Sequence, residues 1–340
     1  CDKASYDTKT GAWEVHVTHD GEPLVLRPKQ LVFATGAYGP PREMDFPGSE
    51  TFDGTLMHSS AYQSGSDFSG KTCVVIGSAS SAHDVCVDLW EAGADVTMLQ
   101  RSPSVVVRSE TLMELGFDIY SEDAVARGLD VEAADMLGAS TPYALFADQQ
   151  RELYKDIQTQ DAGFYQRLAA AGFAFDFGED GSGLMMKALR TASGYYIDVG
   201  ASELIADGEI KVISGGDVVA LTPEGLRLSS GQEVPAQVII ACTGYQSMNE
   251  SVAGIVSRGA ADAIGPCWGL GSGVSGDPGP WQGELRNMWK PTAVDALWFH
   301  GGNLALSRFY SRFVALQLKA RMEGVATPVY AAPEPLQRGL

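Results

Sequence analysis

The sequence is poor in positive charge, in paired cysteines and in long apolar runs. Its 24 lysines and arginines face 43 aspartates and glutamates, a formal net charge of −19. That balance argues against nucleic acid or an anionic membrane surface as a partner, since both repel an acidic protein, and the excess acid reads as solubility. Five cysteines, Cys1, Cys73, Cys86, Cys242 and Cys267, form no C-x-x-C pair and no metal-ligand spacing, so no metal site is expected. Cys73, Cys86 and Cys242 lie in apolar runs, where free buried thiols are usual, and this points to a reducing, cytoplasmic compartment. No apolar run reaches the ~18 residues that a membrane helix needs, and no signal peptide is visible. A Ser/His/Asp or paired-carboxylate constellation is missing too. Glu152 and Asp156 stand at helical spacing and read as a solvated face.

What is present is ordinary globular material, 340 residues with 45% apolar and 20% charged, enough for two domains. A meander of short strands leading into a Thr-Gly turn occurs twice. The first runs through Ala12 to Val17, an Asp20-Gly21 turn, Leu24 to Leu26, and Leu31-Val32-Phe33-Ala34-Thr35-Gly36. The second runs through Val218 to Leu221, a Pro223-Glu224-Gly225 turn, Leu226 to Leu228, and Val238-Ile239-Ile240-Ala241-Cys242-Thr243-Gly244. Only the second is preceded by a strand-turn-helix, Thr72 to Trp90. If the copies are duplicates, roughly 130 residues are expected to precede Cys1, and the absence of an initiator Met agrees.

The expected class is α/β with two Rossmann-like dinucleotide domains, the second inserted in the first and the first incomplete. Residues 1–36 read as the closing meander of the first domain and 37–70 as a Pro-, Gly- and Ser-rich connection. Residues 71–244 read as the second domain, with a helical insert at 103–200. Residues 245–340 read as a return to the first domain. They comprise a Gly-rich loop region over 245–290, then a strand, a Gly-Gly turn and a helix over Ser307 to Glu323.

The apolar run Cys73-Val74-Val75-Ile76 ends at Gly77-Ser78-Ala79-Ser80-Ser81-Ala82. This has the spacing of G-x-G-x-x-G, with Ala79 and Ala82 in place of the second and third glycines. The first glycine makes the tight turn, the second admits the pyrophosphate and the third lets the helix pack on the strand. A helix expected from Ser81 would offer free amides and its dipole to an anion. The next strand, Ala94 to Leu99, ends in Gln100-Arg101-Ser102. An NAD site would place an acid there for the ribose 2′-hydroxyl. A cation suits a 2′-phosphate, so Arg101 and Ser102 favour NADP(H).

Between the first Thr-Gly turn and this fold lies Phe52-Asp53-Gly54-Thr55-Leu56-Met57-His58-Ser59-Ser60-Ala61-Tyr62. With Phe52, Gly54, His58 and Tyr62 it matches FxGxxxHxxx(Y/F), and the chain therefore resembles the flavin-containing monooxygenases. Ala34-Thr35-Gly36 resembles the turn that closes the FAD half, and Thr243-Gly244-Tyr245 the second such turn. Near the end, Leu297-Trp298-Phe299-His300-Gly301-Gly302-Asn303-Leu304 looks like the return of the FAD domain, with a helix N-terminus facing the flavin ring or ribityl chain. Related flavoproteins place Thr and Gly-Asp there. Thr292 and Gly301 fit, and Gly302 stands at the Asp position.

The resemblance implies FAD and NADPH as cofactors and a small-molecule substrate and O2 as partners. Hydride from NADPH would reduce the flavin, and the flavin hydroperoxide formed with O2 would oxygenate a soft nucleophile such as an amine or sulfide. It also implies that the His58 segment couples domains rather than moving protons. A Baeyer–Villiger monooxygenase is the nearer alternative, although its fingerprint continues to Trp-Pro where this chain reads Ser60-Ala61-Tyr62. A nucleotide-binding fragment without activity is the other, and the isolated chain is expected to be inactive. No catalytic residue is assigned, and the sequence does not specify an oligomeric state. For 103–200 two expectations stand: a lid hinged at Gly178 to Gly183, or a helical core built from its aromatics.

Overall fold

The computed structural model describes residues 1–270 and 284–327, so the rest of the 245–290 stretch and the chain from 328 onward lie outside the described residues. Three antiparallel strands open the chain: β1 (Lys3–Asp7), β2 (Ala12–His19) and β3 (Glu22–Leu26). The Asp20-Gly21 turn between β2 and β3 has positive φ at both residues, the backbone that a tight two-residue hairpin requires. Then come β4 (Leu31–Phe33), β5 (Thr55–His58), β6 (Thr72–Ile76), α1 (Ser80–Glu91), β7 (Asp95–Gln100) and β8 (Ser104–Arg108). The middle of the chain holds α2 (Val131–Ser140), α3 (Tyr143–Gln160), α4 (Ala162–Ala170), β9 (Phe175–Asp176), α5 (Gly183–Thr191), β10 (Tyr195–Asp198) and α6 (Ala201–Ala206). Four strands follow: β11 (Lys211–Ser214), β12 (Val218–Thr222), β13 (Gly225–Leu228), β14 (Glu233–Pro235), and then β15 (Val238–Ala241). The last elements are α7 (Asn249–Ile255), α8 (Arg258–Ile264), β16 (Leu297–Phe299) and α9 (Leu304–Met322).

The chain divides into two units. The first comprises residues 1–40, 125–145 and 245–340, the second residues 41–124 and 146–244. The second unit is built on a parallel sheet of order β11-β7-β6-β15-β5. Its central strands are near-continuous apolar runs because both faces are covered: Val74, Val75, Ile239 and Ile240 are fully buried. The chain proceeds from β6 outward through β7 to β11, then returns to place β15 on the other side of β6. This strand reversal lies between β6 and β15, where open α/β sheets bind ligands at the carboxyl ends of their strands. A meander of β12, β13 and β14 packs Leu221, Leu226, Leu228 and Val234 against Val74 and Ile239.

Two segments differ from the sequence reading. Residues 37–70 are more than a connection, because β5 adds an edge strand beside β15, pairing Leu56 with Ile239 and His58 with Ala241. Nor is 103–200 one helical insert. Its strands form a small parallel sheet of order β10-β8-β9, while residues 125–145 join the first unit. Its aromatics form a core: Tyr154 and Tyr165 are buried with Val105, Val107, Leu112, Ile157 and Leu184. The glycine-rich stretch from Gly178 to Gly183 is pinned. Asp180 accepts hydrogen bonds from Arg190 at 2.7 and 2.9 Å, and a side chain at Gly183 would meet the Tyr154 ring at 1.9 Å.

The first unit holds the β1–β3 meander and a parallel pair, β4 with β16. Trp13 donates its ring N–H to the Ala296 carbonyl at 3.1 Å and Trp298 to Gln30 at 2.8 Å, so two fully buried indoles satisfy their one polar atom. Residues 249–264, expected to be loop, form α7 and α8. Helix α9 begins at Leu304, earlier than the expected Ser307, because Asn303 caps it by accepting from the Leu306 amide at 2.8 Å. Helix α2 is held to α9 by Arg308, whose guanidinium grips buried Asp135 through two bonds of 2.7 Å. No helix among the described residues is long and apolar enough to cross a membrane.

Candidate functional site

In the second unit the turn after β6 is fixed by what Gly77 lacks. Its φ is +133°, and a Cβ there would sit 2.5 Å from the Cys242 carbonyl oxygen. Only glycine allows β6 and the end of β15 to approach this closely. Ser78 and Ser80 then turn their hydroxyls inward: Ser78 Oγ lies 2.9 Å from Ser104 Oγ, and Ser80 Oγ donates to the Tyr195 carbonyl at 3.0 Å. Ser81 is exposed and Ala82 is buried against the sheet, doing the packing work of the third glycine. Ala79 is the extended residue before α1 and supplies no side-chain cap. The Ala82 amide bonds back to the Ala79 carbonyl at 2.9 Å, so the Ser80 and Ser81 amides of this 12-residue helix are left for an acceptor from outside, and the helix dipole favours an anion there.

His83 was not singled out from the sequence. It is fully buried one helical turn into α1, stacked on Tyr196 with ring centroids 3.9 Å apart. Its Nδ1–H donates to the Ala79 carbonyl at 3.1 Å, the assignment that an oxygen without a proton requires. Burial holds its pKa down at about 4, so the ring is neutral. An apolar neighbourhood one turn past a glycine loop was the only signal in the sequence.

The neighbouring strand β7 ends with Gln100 locked in place. Its amide accepts from Ala174 N–H and donates to Ala174 C=O, both at 2.7 Å. Arg101 and Ser102 follow, both exposed, and Arg101 forms no ion pair among the described residues. An exposed cation thus stands one strand away from the uncapped helix.

The motif residues turn out to be joinery within this unit. Phe52 packs with Leu221 and Ile239. A Cβ on Gly54 would meet the Gln237 carbonyl at 2.3 Å. His58 accepts at Nδ1 from the Ser60 amide at 3.1 Å, which leaves Nε2–H to donate to the Gly244 carbonyl at 3.1 Å. Tyr62 donates to Asp88 of α1 at 2.5 Å, and the Gly65 amide donates to the same oxygen at 2.6 Å. Each fixed position in the motif therefore ties β5 and its sequel to β15 or α1. Thr243 Oγ1, just before Gly244, is buried with no hydrogen-bond partner among the described residues, an orphan that a bound ligand would satisfy.

In the first unit the ends of β4 and β16 meet. Ala34, Thr35 and Gly36 are exposed after β4, and a Cβ on Gly301 would lie 2.6 Å from the Gly36 carbonyl. Gly302, at φ +93°, carries the chain to Asn303 and Leu304 at the start of α9. Thr292 bonds locally, donating at 3.0 and 2.9 Å to the carbonyls of Val294 and Leu297. His300 Nδ1 is a second buried orphan. Tyr245 pairs with Tyr38 at 5.5 Å between ring centroids. Most of the sequence-predicted cofactor residues thus lie past the carboxyl ends of strands, one set after β6, β7 and β15 and the other after β4 and β16, while Phe52 and Gly54 stand before β5.

The profile of the pyridine nucleotide-disulphide oxidoreductase family matches residues 8–164. Indole-3-pyruvate monooxygenase YUCCA1 of Oryza sativa subsp. japonica is 32% identical over 246 residues, 72% of this chain and 53% of that protein. The FAD-containing monooxygenase EthA of Mycobacterium tuberculosis is 26% identical over 260 residues, 71% of this chain and 48% of EthA. The chain belongs to the flavin-containing monooxygenase family. It spans about half the length of the curated relatives it matches. Two solved structures share the fold. OTEMO in complex with FAD and NADP has a TM-score of 0.58 at 16% identity, covering 95% of this chain and 66% of OTEMO. Cyclohexanone monooxygenase bound to epsilon-caprolactone has a TM-score of 0.57 at 16% identity, covering 95% of this chain and 68% of that one. Within this family member the motif around His58 fastens strands and helix, and two of the buried polar atoms left without a partner among the described residues, Thr243 Oγ1 and His300 Nδ1, lie just past strand ends.

Proposed function

We propose that the chain carries the NADP(H)-binding unit and part of the FAD-binding unit of an NADPH- and FAD-dependent monooxygenase. The observation that carries this reading is the uncapped start of α1 behind the Gly77 turn, at the strand reversal, with exposed Arg101 at the end of the neighbouring strand. The α1 amides would hold the pyrophosphate, Arg101 the 2′-phosphate, and the orphan Thr243 hydroxyl a ribose or amide oxygen. In the first unit the Gly36 and Gly301-Gly302 turns and the start of α9 would line the flavin. With Gly302 at the Asp position, no carboxylate stands there for the ribityl chain.

When bound, NADPH supplies the hydride and FAD the oxygen-activating chemistry; the protein supplies position and exclusion of water. The proposed substrate is a soft nucleophile, an amine or sulfide. A second reading, a 2-oxo acid with an aryl side chain, is favoured by the 32% identity to a protein named for indole-3-pyruvate. The test is turnover by the whole protein with FAD, NADPH and O2, offering a thioether, a tertiary amine, an aryl 2-oxo acid and a cyclic ketone. Sulfoxide or N-oxide supports the first reading. Oxygenation of the acid alone replaces it with the second, and of the ketone alone with a Baeyer–Villiger enzyme. No oxygenated product from any of the four contradicts the monooxygenase assignment.

A further inference from the structure

Arg42 and Arg101 stand apart from every other arginine among the described residues. The others each have an ionic, hydrogen-bonded or other electrostatic partner; for the guanidinium groups of these two there is none among the described residues. Arg101 already has a role in the nucleotide reading. Arg42 does not.

The placement of Arg42 is specific. Its backbone N–H donates to the Gly244 carbonyl at 3.1 Å, the same oxygen that takes the His58 Nε2–H at 3.1 Å. Its Nε lies 4.0 Å from where a Cβ on Gly244 would stand, so the side chain lies along the bare turn after β15. That turn follows the residue whose carbonyl closes on Gly77, and it contains the orphan Thr243 hydroxyl. Arg42 therefore stands on one side of the β6 turn and Arg101 on the other. Strands β7, β6 and β15 are consecutive, so the two backbone anchors are separated by two strand spacings, about 10 Å.

A dinucleotide phosphate lying across those strand ends has three phosphates to place. The 2′-phosphate goes to Arg101 at β7, and the pyrophosphate begins over the start of α1 at β6 with its adenosine-side phosphate. The part of the ligand that continues toward β15 is the nicotinamide nucleotide. We infer that Arg42 is a second ligand-contacting cation, which receives the nicotinamide-side phosphate of the dinucleotide and so orients the hydride-bearing half. The inference rests on the nucleotide reading of the second unit given above.

The test compares two ligands on the chain as it stands. Adenosine 2′,5′-bisphosphate carries the 2′-phosphate and the adenosine-side phosphate but no nicotinamide half; NADPH carries all three groups. Arg42→Ala should raise the Kd for NADPH roughly tenfold or more, the loss of a charge-assisted contact. It should leave the bisphosphate Kd within about twofold, the usual reach of a surface substitution. Unchanged bisphosphate binding also certifies that the variant is folded. Arg101→Ala should weaken both ligands, and Arg42→Lys should restore part of the NADPH affinity. Unaltered NADPH binding in Arg42→Ala, or equal weakening of both ligands, overturns the assignment to Arg42 alone. A wild-type chain that binds neither ligand overturns the nucleotide site and this inference with it.

Discussion

At the scale of single residues, the proposed function rests on groups that are missing or unpaired. Gly77 and Gly54 matter because a methyl would strike a carbonyl oxygen at 2.5 and 2.3 Å. Arg101 matters because nothing among the described residues neutralises it. Arg101→Ala is predicted to weaken NADPH binding roughly 10- to 150-fold, the range for a charge-assisted phosphate contact, and to leave NADH nearly unchanged. Equal loss for both nucleotides in a fluorescence titration would refute the assignment. His58 belongs to the same scale with the opposite role. Replacing it with Phe removes one of two donors to the Gly244 carbonyl, and the Arg42 amide remains. The expected cost is therefore near the low end for a buried bond, about 1 kcal/mol in urea denaturation. A loss of turnover with stability unchanged would mean that His58 touches the chemistry after all.

At the scale of elements, the legible parts were those whose pattern is local. The run from Cys73 to Ile76 and the glycine after it formed as read, because burial on both faces writes an uninterrupted apolar strand, and the helix begins at Ser80, one residue before the expected Ser81. Strand β5 was not legible. Its four residues gain their hydrogen bonds from β15, far away in sequence. Helices α7 and α8 have seven residues each in a glycine-rich context, too short to show a period. The docking of 125–145 depends on Asp135 meeting Arg308, which no local pattern announces. The stretch from Gly178 to Gly183 was open to two readings, and its geometry is that of a clasp. Gly183→Ala would place a methyl 1.9 Å from the Tyr154 ring at φ +66°, and is predicted to cost about 1–3 kcal/mol. Thermal unfolding of that variant would measure the loss; an unchanged Tm would mean that the segment is free to move.

The clasp also has a pH signature. Hydrogen bonds from Arg190 hold the Asp180 carboxyl well below its ordinary value of 3.8. A depressed carboxylate pKa contributes stability above the ordinary value and loses it as pH falls through the lower, folded value. Wild type should therefore lose more stability on acidification below about pH 4 than Asp180→Asn does. Both side chains are about a third exposed, so the difference will be modest. Parallel denaturation curves for the two proteins at every pH would remove the clasp's electrostatic part.

At the scale of the whole molecule, two of the three parallel sheets gather sequence-predicted cofactor residues past their carboxyl ends, one set after β4 and β16, the other after β6, β7 and β15. That gathering was readable because Thr-Gly turns and the Gly77 loop mark strand ends. What remained unread was which residues bind and which merely join: Ser78 and Ser80 face inward, and the FxGxxxHxxxY residues fasten strands. The net charge of −19 makes any anion-binding patch local, so nucleotide affinity should fall as salt screens the few cations that form it.

The central claim is that the second unit is built for a dinucleotide bearing a 2′-phosphate. The most direct measurement is calorimetric titration of the wild-type chain with NADPH and, separately, with NADH. The account predicts one saturable NADPH site and an NADH affinity weaker by roughly tenfold or more. No NADPH binding, or equal affinity for the two nucleotides, would contradict it.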